Sequence, residues 1–341
     1  MSLLARGVRL AAHASRSPCL LAQVKPKTLG GAQSSVGTPV LDHRIRFNTI
    51  DVIESIPDDE QRTGLDLFEN VIAPLSARSS PRILVRFHEV ETTADLLVAL
   101  ADVRHRAEQF NHHPILHIEA HGSPHGLGLR SGSIAWLDLL EELTAINAAT
   151  RLNLLVAMSS CWGADISKLV HPAHPAPFWG AIGPHTSIDA GPLYDSFCAY
   201  YRSLLTDFDG AKALDAMRSA SLPQSERMAF RPAEIFFRLI FFRFIAEYSS
   251  GERLQARISR LMGFIIEADP SALDNRAEVE AWLAARILEH EVHFERYKAT
   301  FFMYDRYPEN RERFKPLLAD GPPWPVVDQV TAHAASDAST T

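Results

Sequence analysis

Two short stretches of this chain end on side chains that can do covalent chemistry. The apolar run ILHIEAHG (115–122) delivers His121 and Gly122, and LNLLVAMSSCWG (152–163) delivers Ser160 and Cys161, with 40 positions between the imidazole and the thiol. A cysteine is a strong nucleophile near neutral pH once a neighbouring group takes its proton, and histidine is suited to that task. Gly122 has no side chain to block a close backbone approach, so its N–H and that of Cys161 form a candidate oxyanion hole. Cys161 also stands at the start of an expected helix, where the dipole favours negative charge. Together these features make a coherent candidate site for acyl transfer.

Such a site requires the two runs to be neighbouring parallel strands whose carboxyl ends share one edge of a sheet, where open α/β sheets carry their sites. The surrounding pattern supports this. Apolar groups at Ile45, Phe47 and Ile50 suggest a first strand, and a helix over 58–72 places Leu65, Phe68 and Ile72 on one stripe before Pro74 closes it. RILVRFHEV (82–90) is a second strand, and Thr92 with Asp95 caps a helix carrying Leu96, Leu97, Leu100 and Val103. The His-Gly strand, a glycine-rich hairpin, a helix from Trp136 to Ile146 and the Cys strand follow. A short helix, a fifth strand FWGAIGP (178–184) and helices near 190–206 and 210–219 complete the order. Alternating βα units with short apolar strands predict an α/β, mostly parallel sheet covered by helices on both faces. After Pro223 the sequence shows no strand signal, and helices are expected over 232–249, 251–267 and 276–305.

An apolar strand ending in His-Gly, then one ending in a small residue and Cys, resembles the caspase-like and separase-like cysteine peptidases. GAIGP, IDAGPLYDSFCAYYRSLL and AKALDAM make the pattern most similar to that of the CHAT-domain proteases, over about residues 45–220. Ser159 stands where caspases carry a glutamine, which separates the chain from caspases proper. The resemblance implies a caspase-like fold and covalent thioester catalysis by His121 and Cys161, with no cofactor and no obligatory third catalytic side chain. It also implies a protein substrate and, from bacterial CHAT relatives, a triggered protease of anti-phage defence or regulated cell death. For the specificity pocket it points to Asp189, beyond the fifth strand, as the acid for a basic residue. Arg130 is the alternative receptor for an acidic one, with Ser159 beside the nucleophile.

Composition sets the remaining bounds. A net charge of −7 gives no global attraction for nucleic acid. Cys19, Cys161 and Cys198 are few and irregularly spaced, which argues for free thiols in a reducing, cytoplasmic setting. Residues 1–41 are basic and free of acids, a composition like that of a mitochondrial transit peptide, and read as a disordered or targeting-like extension. The protease domain is expected over 42–220, a helical region able to receive an activating partner over 221–320, and a disordered tail over 321–341. No run is long enough for a transmembrane helix. Two other readings exist: a catalytically inactive interaction module on the same fold, and a metal-dependent hydrolase. His113, His117, His121 and His125 recur every four residues, but Pro114, Gly122, Pro124 and Gly126 oppose a helix there. On a strand, His117, Glu119 and His121 share a face. HEVH (290–293) lacks the spacing of a zinc motif, and Cys198 reads as a buried apolar group.

Overall fold

The computed structural model describes residues 40–42, 45–220 and 228–322. The extension and the tail lie outside these apart from their innermost residues. A small antiparallel ribbon, β1 (Val40–Asp42) and β2 (Ile45–Arg46), precedes the first sheet strand, β3 (Thr49–Ser55). The strand therefore begins later than the apolar pattern suggests. The cause is Asn48, whose side chain is engaged by the backbone N–H of His113 at 2.8 Å and donates to the Asn111 carbonyl at 3.3 Å.

The helix expected to stop before Pro74 instead continues. α1 (Thr63–Leu67) passes through a π turn (Phe68–Ile72) into α2 (Ala73–Arg78), with the Ala73 N–H on the Phe68 carbonyl. Proline lacks the N–H for the four-residue bond and collides with the carbonyl four residues back; the wider turn delivers Pro74 into the next helical segment. β4 (Leu84–Glu89) leads to α3 (Thr93–Phe110), whose Thr92–Asp95 capping box is formed. Then come β5 (Pro114–Ser123), the short strands β6 (Gly126–Gly128) and β7 (Ser133–Ala135), α4 (Trp136–Ala149) and β8 (Leu155–Ser159).

Beyond β8 a 3₁₀ helix (Gly163–Leu169), not an α-helix, precedes β9 (Gly180–Pro184), α5 (Ala190–Asp207) and α6 (Gly210–Ala220). The expectation that no strand follows Pro223 is corrected by β10 (Met228–Pro232), which pairs antiparallel with β9. Its five residues are only half-buried and lack strict alternation, so the pairing with β9 decides its conformation. The sheet order is β10-β9-β8-β5-β3-β4, parallel throughout except at β10. Every residue of β3, β8 and β9 is buried, which alternating side chains achieve only when both faces are covered. Full burial of side chains such as Leu155 and Val156 contributes about 1.5–3 kcal/mol each.

α7 (Ala233–Tyr248), α8 (Gly251–Ala268), α9 (Arg276–Ile287), α10 (His290–Phe301) and the single turn α11 (Asn310–Arg313) follow. Among the described residues, 40–240 and 296–322 form one compact unit and 241–295 another, whereas composition changes at Pro223. In the smaller unit, Ile258 and Met262 of α8 pack with Val279, Leu283 and Ile287 of α9. In the larger one the C-terminal segment locks the entry to β8. Arg151 and Leu152 adopt left-handed conformations (φ 56° and 65°), and Arg313 donates to their carbonyls at 2.8 and 3.0 Å and to Asn153 Oδ1 at 2.8 Å. Burial lowers the Arg313 pKa to about 10, the nearby Arg46 adding to it. The carbonyls offset the strain of two consecutive left-handed residues with charge-assisted bonds. No helix of the described residues is long and apolar enough to cross a membrane.

Candidate active site

β5 and β8 run in parallel register, Ile115 opposite Leu155 through Glu119 opposite Ser159. His121 and Cys161 lie two positions beyond the last of these pairs, at the carboxyl ends of the two neighbouring strands. Gly122 makes the juxtaposition possible: a Cβ there would lie 1.7 Å from the Cys161 carbonyl oxygen and 2.9 Å from its nitrogen. Only a residue without a side chain lets the two strand ends approach this closely. Gly122 faces Leu127 of β6 in the short antiparallel hairpin that leaves the site.

After Cys161 the chain turns sharply, with Trp162 left-handed at φ 60° and Gly163 fitted against Met158 and Ser160. The amides of Trp162 and Gly163 donate to Thr186 O at 3.3 Å and Ser160 O at 3.1 Å, and neither turn bond uses the amide of Cys161. The helix expected to start at Cys161 is a 3₁₀ segment whose N-cap is Trp162, so Cys161 precedes it and is not within its first turn. The thiol is instead engaged by the loop after β9. Partly exposed, Cys161 Sγ lies 3.6 Å from Ser187 Oγ and 3.6 Å from the Ile188 carbonyl, and the Ile188 N–H donates to it at 3.5 Å. His121 is exposed, and its Nε2 lies 3.0 Å from Glu60 Oε1. No hydrogen bond joins the imidazole to the thiol.

A buried polar network supports the His strand from below. His117 and Glu119 project from the same side of β5 as His121. Because Nε2 of His117 faces a carboxylate and carries the proton, Nδ1 of the neutral ring is the acceptor for the Tyr201 hydroxyl at 3.3 Å, whose pKa burial raises well above the ordinary phenol value. His117 Nε2–H then donates to Glu119 Oε2 at 3.2 Å, while the Thr63 hydroxyl donates to Glu119 Oε1 at 2.8 Å. Glu54, registered opposite Glu119 on β3, receives Arg62 Nε at 2.7 Å and the Leu65 N–H at 2.9 Å. Gly64 packs tightly beside both glutamates: a Cβ there would lie 3.0 Å from Glu54 Oε1 and 3.0 Å from the Glu119 Cβ.

These assignments leave His117 and Glu119 committed to internal partners. Among the described residues no group of three histidine, cysteine or acidic side chains is arranged to hold a metal ion. Of the specificity candidates, Asp189 is exposed, directly after the Ile188 that touches the thiol, and its side chain caps no helix amide. Arg130 is mostly buried and binds Ile56 O at 3.0 Å, Glu89 at 2.9 Å and Asp58 at 3.4 Å. Ser159 is buried in β8 with its hydroxyl unpartnered. Burial raises the Cys198 pKa, with Tyr194 beside it. Glu60 and the 187–188 loop are the site features that sequence reasoning missed.

No protein-family model and no curated protein matches this sequence. Among solved structures the chain is similar to caspase-1 from Spodoptera frugiperda, with a TM-score of 0.39 and 12% identity over 61% of this chain and 94% of that one. It is also similar to pro-sf-caspase-1, with a TM-score of 0.38 and 13% identity over 59% and 97%.

Proposed function

We propose that this protein is a caspase-like cysteine endopeptidase acting through His121 and Cys161. The observation that carries the reading is the packing of Gly122 on the backbone of Cys161, which sets a thiol and an imidazole at adjacent strand ends. In this mechanism the Cys161 thiol gives its proton to His121 and the sulfur bonds to the scissile carbonyl carbon. The resulting oxyanion takes hydrogen bonds from the Gly122 and Cys161 amides. Collapse breaks the C–N bond, the imidazolium protonates the leaving amine, and water activated by His121 hydrolyses the thioester. Asp189, at the end of the loop on the thiol, is the candidate receptor for a basic substrate residue. The CHAT-type resemblance extends the proposal to a triggered protease of defence or regulated cell death, with the helical C-terminal region receiving the activator.

The test is labelling by a peptidyl electrophile. Cys161 is modified in the wild type, and His121→Ala loses most of that reactivity; equal labelling of both proteins refutes the dyad. A second reading, an inactive interaction module, draws on the engagement of Sγ by Ser187 and Ile188. It predicts no labelling of the intact protein under any condition that leaves it folded.

A further inference from the structure

We propose that Glu60 is a positioning residue for His121, holding one tautomer and one orientation of the imidazole toward Cys161. This rests on the dyad reading above. A carboxylate only accepts hydrogen bonds, so the 3.0 Å contact from Glu60 Oε1 places the neutral ring's proton on Nε2. Nδ1 is then the nitrogen with a lone pair, the one that can take the thiol proton. With the opposite tautomer the ring would present an N–H where the reaction needs a base.

The contact is between exposed side chains, 56% for His121 and 47% for Glu60, and such pairs ordinarily contribute little. What distinguishes this one is the way its loop is built. Two arginines clamp the segment that carries Glu60. Arg130 Nε binds Ile56 O at 3.0 Å and its guanidinium reaches Asp58 at 3.4 Å, fixing the start. Arg62 Nε binds the buried Glu54 at 2.7 Å, fixing the end. Both arginines also meet Glu89, at 2.9 and 3.3 Å, so one carboxylate on β4 ties the clamps together. Between them the Glu60 N–H closes a turn onto Pro57 O at 3.1 Å. The backbone that presents Glu60 is held before the side chain meets the imidazole, which reduces the ordering cost of the contact.

The experiment uses the full-length protein with ¹⁵N-labelled histidine, at a pH above the imidazole titration, and assigns His121 by its disappearance in His121→Ala. In the wild type the ring nitrogens report the Nε2–H tautomer. In Glu60→Ala the ring relaxes to the tautomer mixture of a free imidazole, which still favours Nε2–H but less completely, and alkylation of Cys161 by iodoacetamide slows by about five-fold, the scale of an exposed hydrogen-bonded pair. Glu60→Gln, whose amide oxygen still accepts from Nε2–H, retains the tautomer and reacts within about two-fold of wild type. An alkylation rate in Glu60→Ala equal to that of wild type, or a Glu60→Gln protein no better than Glu60→Ala, overturns the proposal. Wild-type alkylation of His121→Ala removes the dyad and with it the role assigned to Glu60. That failure is distinguishable, because the Nε2–H tautomer then persists without any effect on the thiol.

Discussion

Gly122→Ala is the most direct perturbation of the site geometry. The added methyl would lie 1.7 Å from the Cys161 carbonyl oxygen, 2.7 Å from its carbon and 2.9 Å from its nitrogen, all backbone atoms. Ordinary contact needs about 3.5 Å, so the two strand ends must separate by about 2 Å. No rotamer change relieves the clash. Gly→Ala gains about 0.4–1 kcal/mol by restricting the unfolded chain, while overpacking costs about 1–3 kcal/mol and sits at the upper end when backbone meets backbone. The net expectation is a loss of about 2 kcal/mol, read as a lower urea midpoint at constant slope. A misplacement of about 1 Å costs on the order of 100-fold in a positioned reaction, so labelling of Cys161 by a peptidyl electrophile falls by at least that factor. Gly128→Ala is the control, because its Cβ would meet the His121 Cβ at 3.4 Å and the His121 carbonyl oxygen at 3.9 Å, both ordinary contact distances. If Gly122→Ala matches wild type in both stability and labelling, the close approach of the strand ends is not what builds the site.

Three further outcomes follow from particular groups. Burial, aided by Arg46, Arg313 and Arg151, lowers the His113 pKa to about 4. The unfolded chain therefore takes up a proton near pH 6.5 that the folded one refuses; stability is full above about pH 6.5 and falls by about 3 kcal/mol as pH drops towards 4. His112 shifts in the same direction by burial, and His113→Gln flattens the urea midpoint against pH; an unchanged slope refutes the assignment. A neutral thiol reagent modifies Cys161 well before Cys198, because Cys198 is 4% exposed and burial raises its pKa; peptide mass mapping showing equal rates refutes this. Glu119→Ala strands His117 Nε2–H and the Thr63 hydroxyl in the core and costs about 3 kcal/mol, whereas Tyr201→Phe costs about 1 kcal/mol. Denaturant titrations giving the reverse order refute the donor chain from Tyr201 to Glu119.

The sequence by itself determined the parts of this protein whose signal is local. Apolar runs marked β4, β5, β8 and β9, Pro114 and Gly122 bounded the run of β5, and the Thr92–Asp95 cap marked the start of α3. Because parallel strands in βα order bring their carboxyl ends to one edge, the strand pattern alone assigns His121 and Cys161 to adjacent strand ends, and β5 and β8 are paired in parallel. Only the tertiary structure decided what surrounds them. Glu60 meets His121 across 61 positions and Ser187 meets Cys161 across 26, through exposed polar side chains that leave no periodic trace. β10 is a strand because the β9 edge offers it partners, and the chain passes Pro74 because a π turn absorbs the missing donor. Hydrophobic spacing specifies which residues leave water, and so which elements form. Hydrogen bonds between polar groups far apart in sequence depend on the final packing, and at this site they determine how the imidazole and the thiol are held.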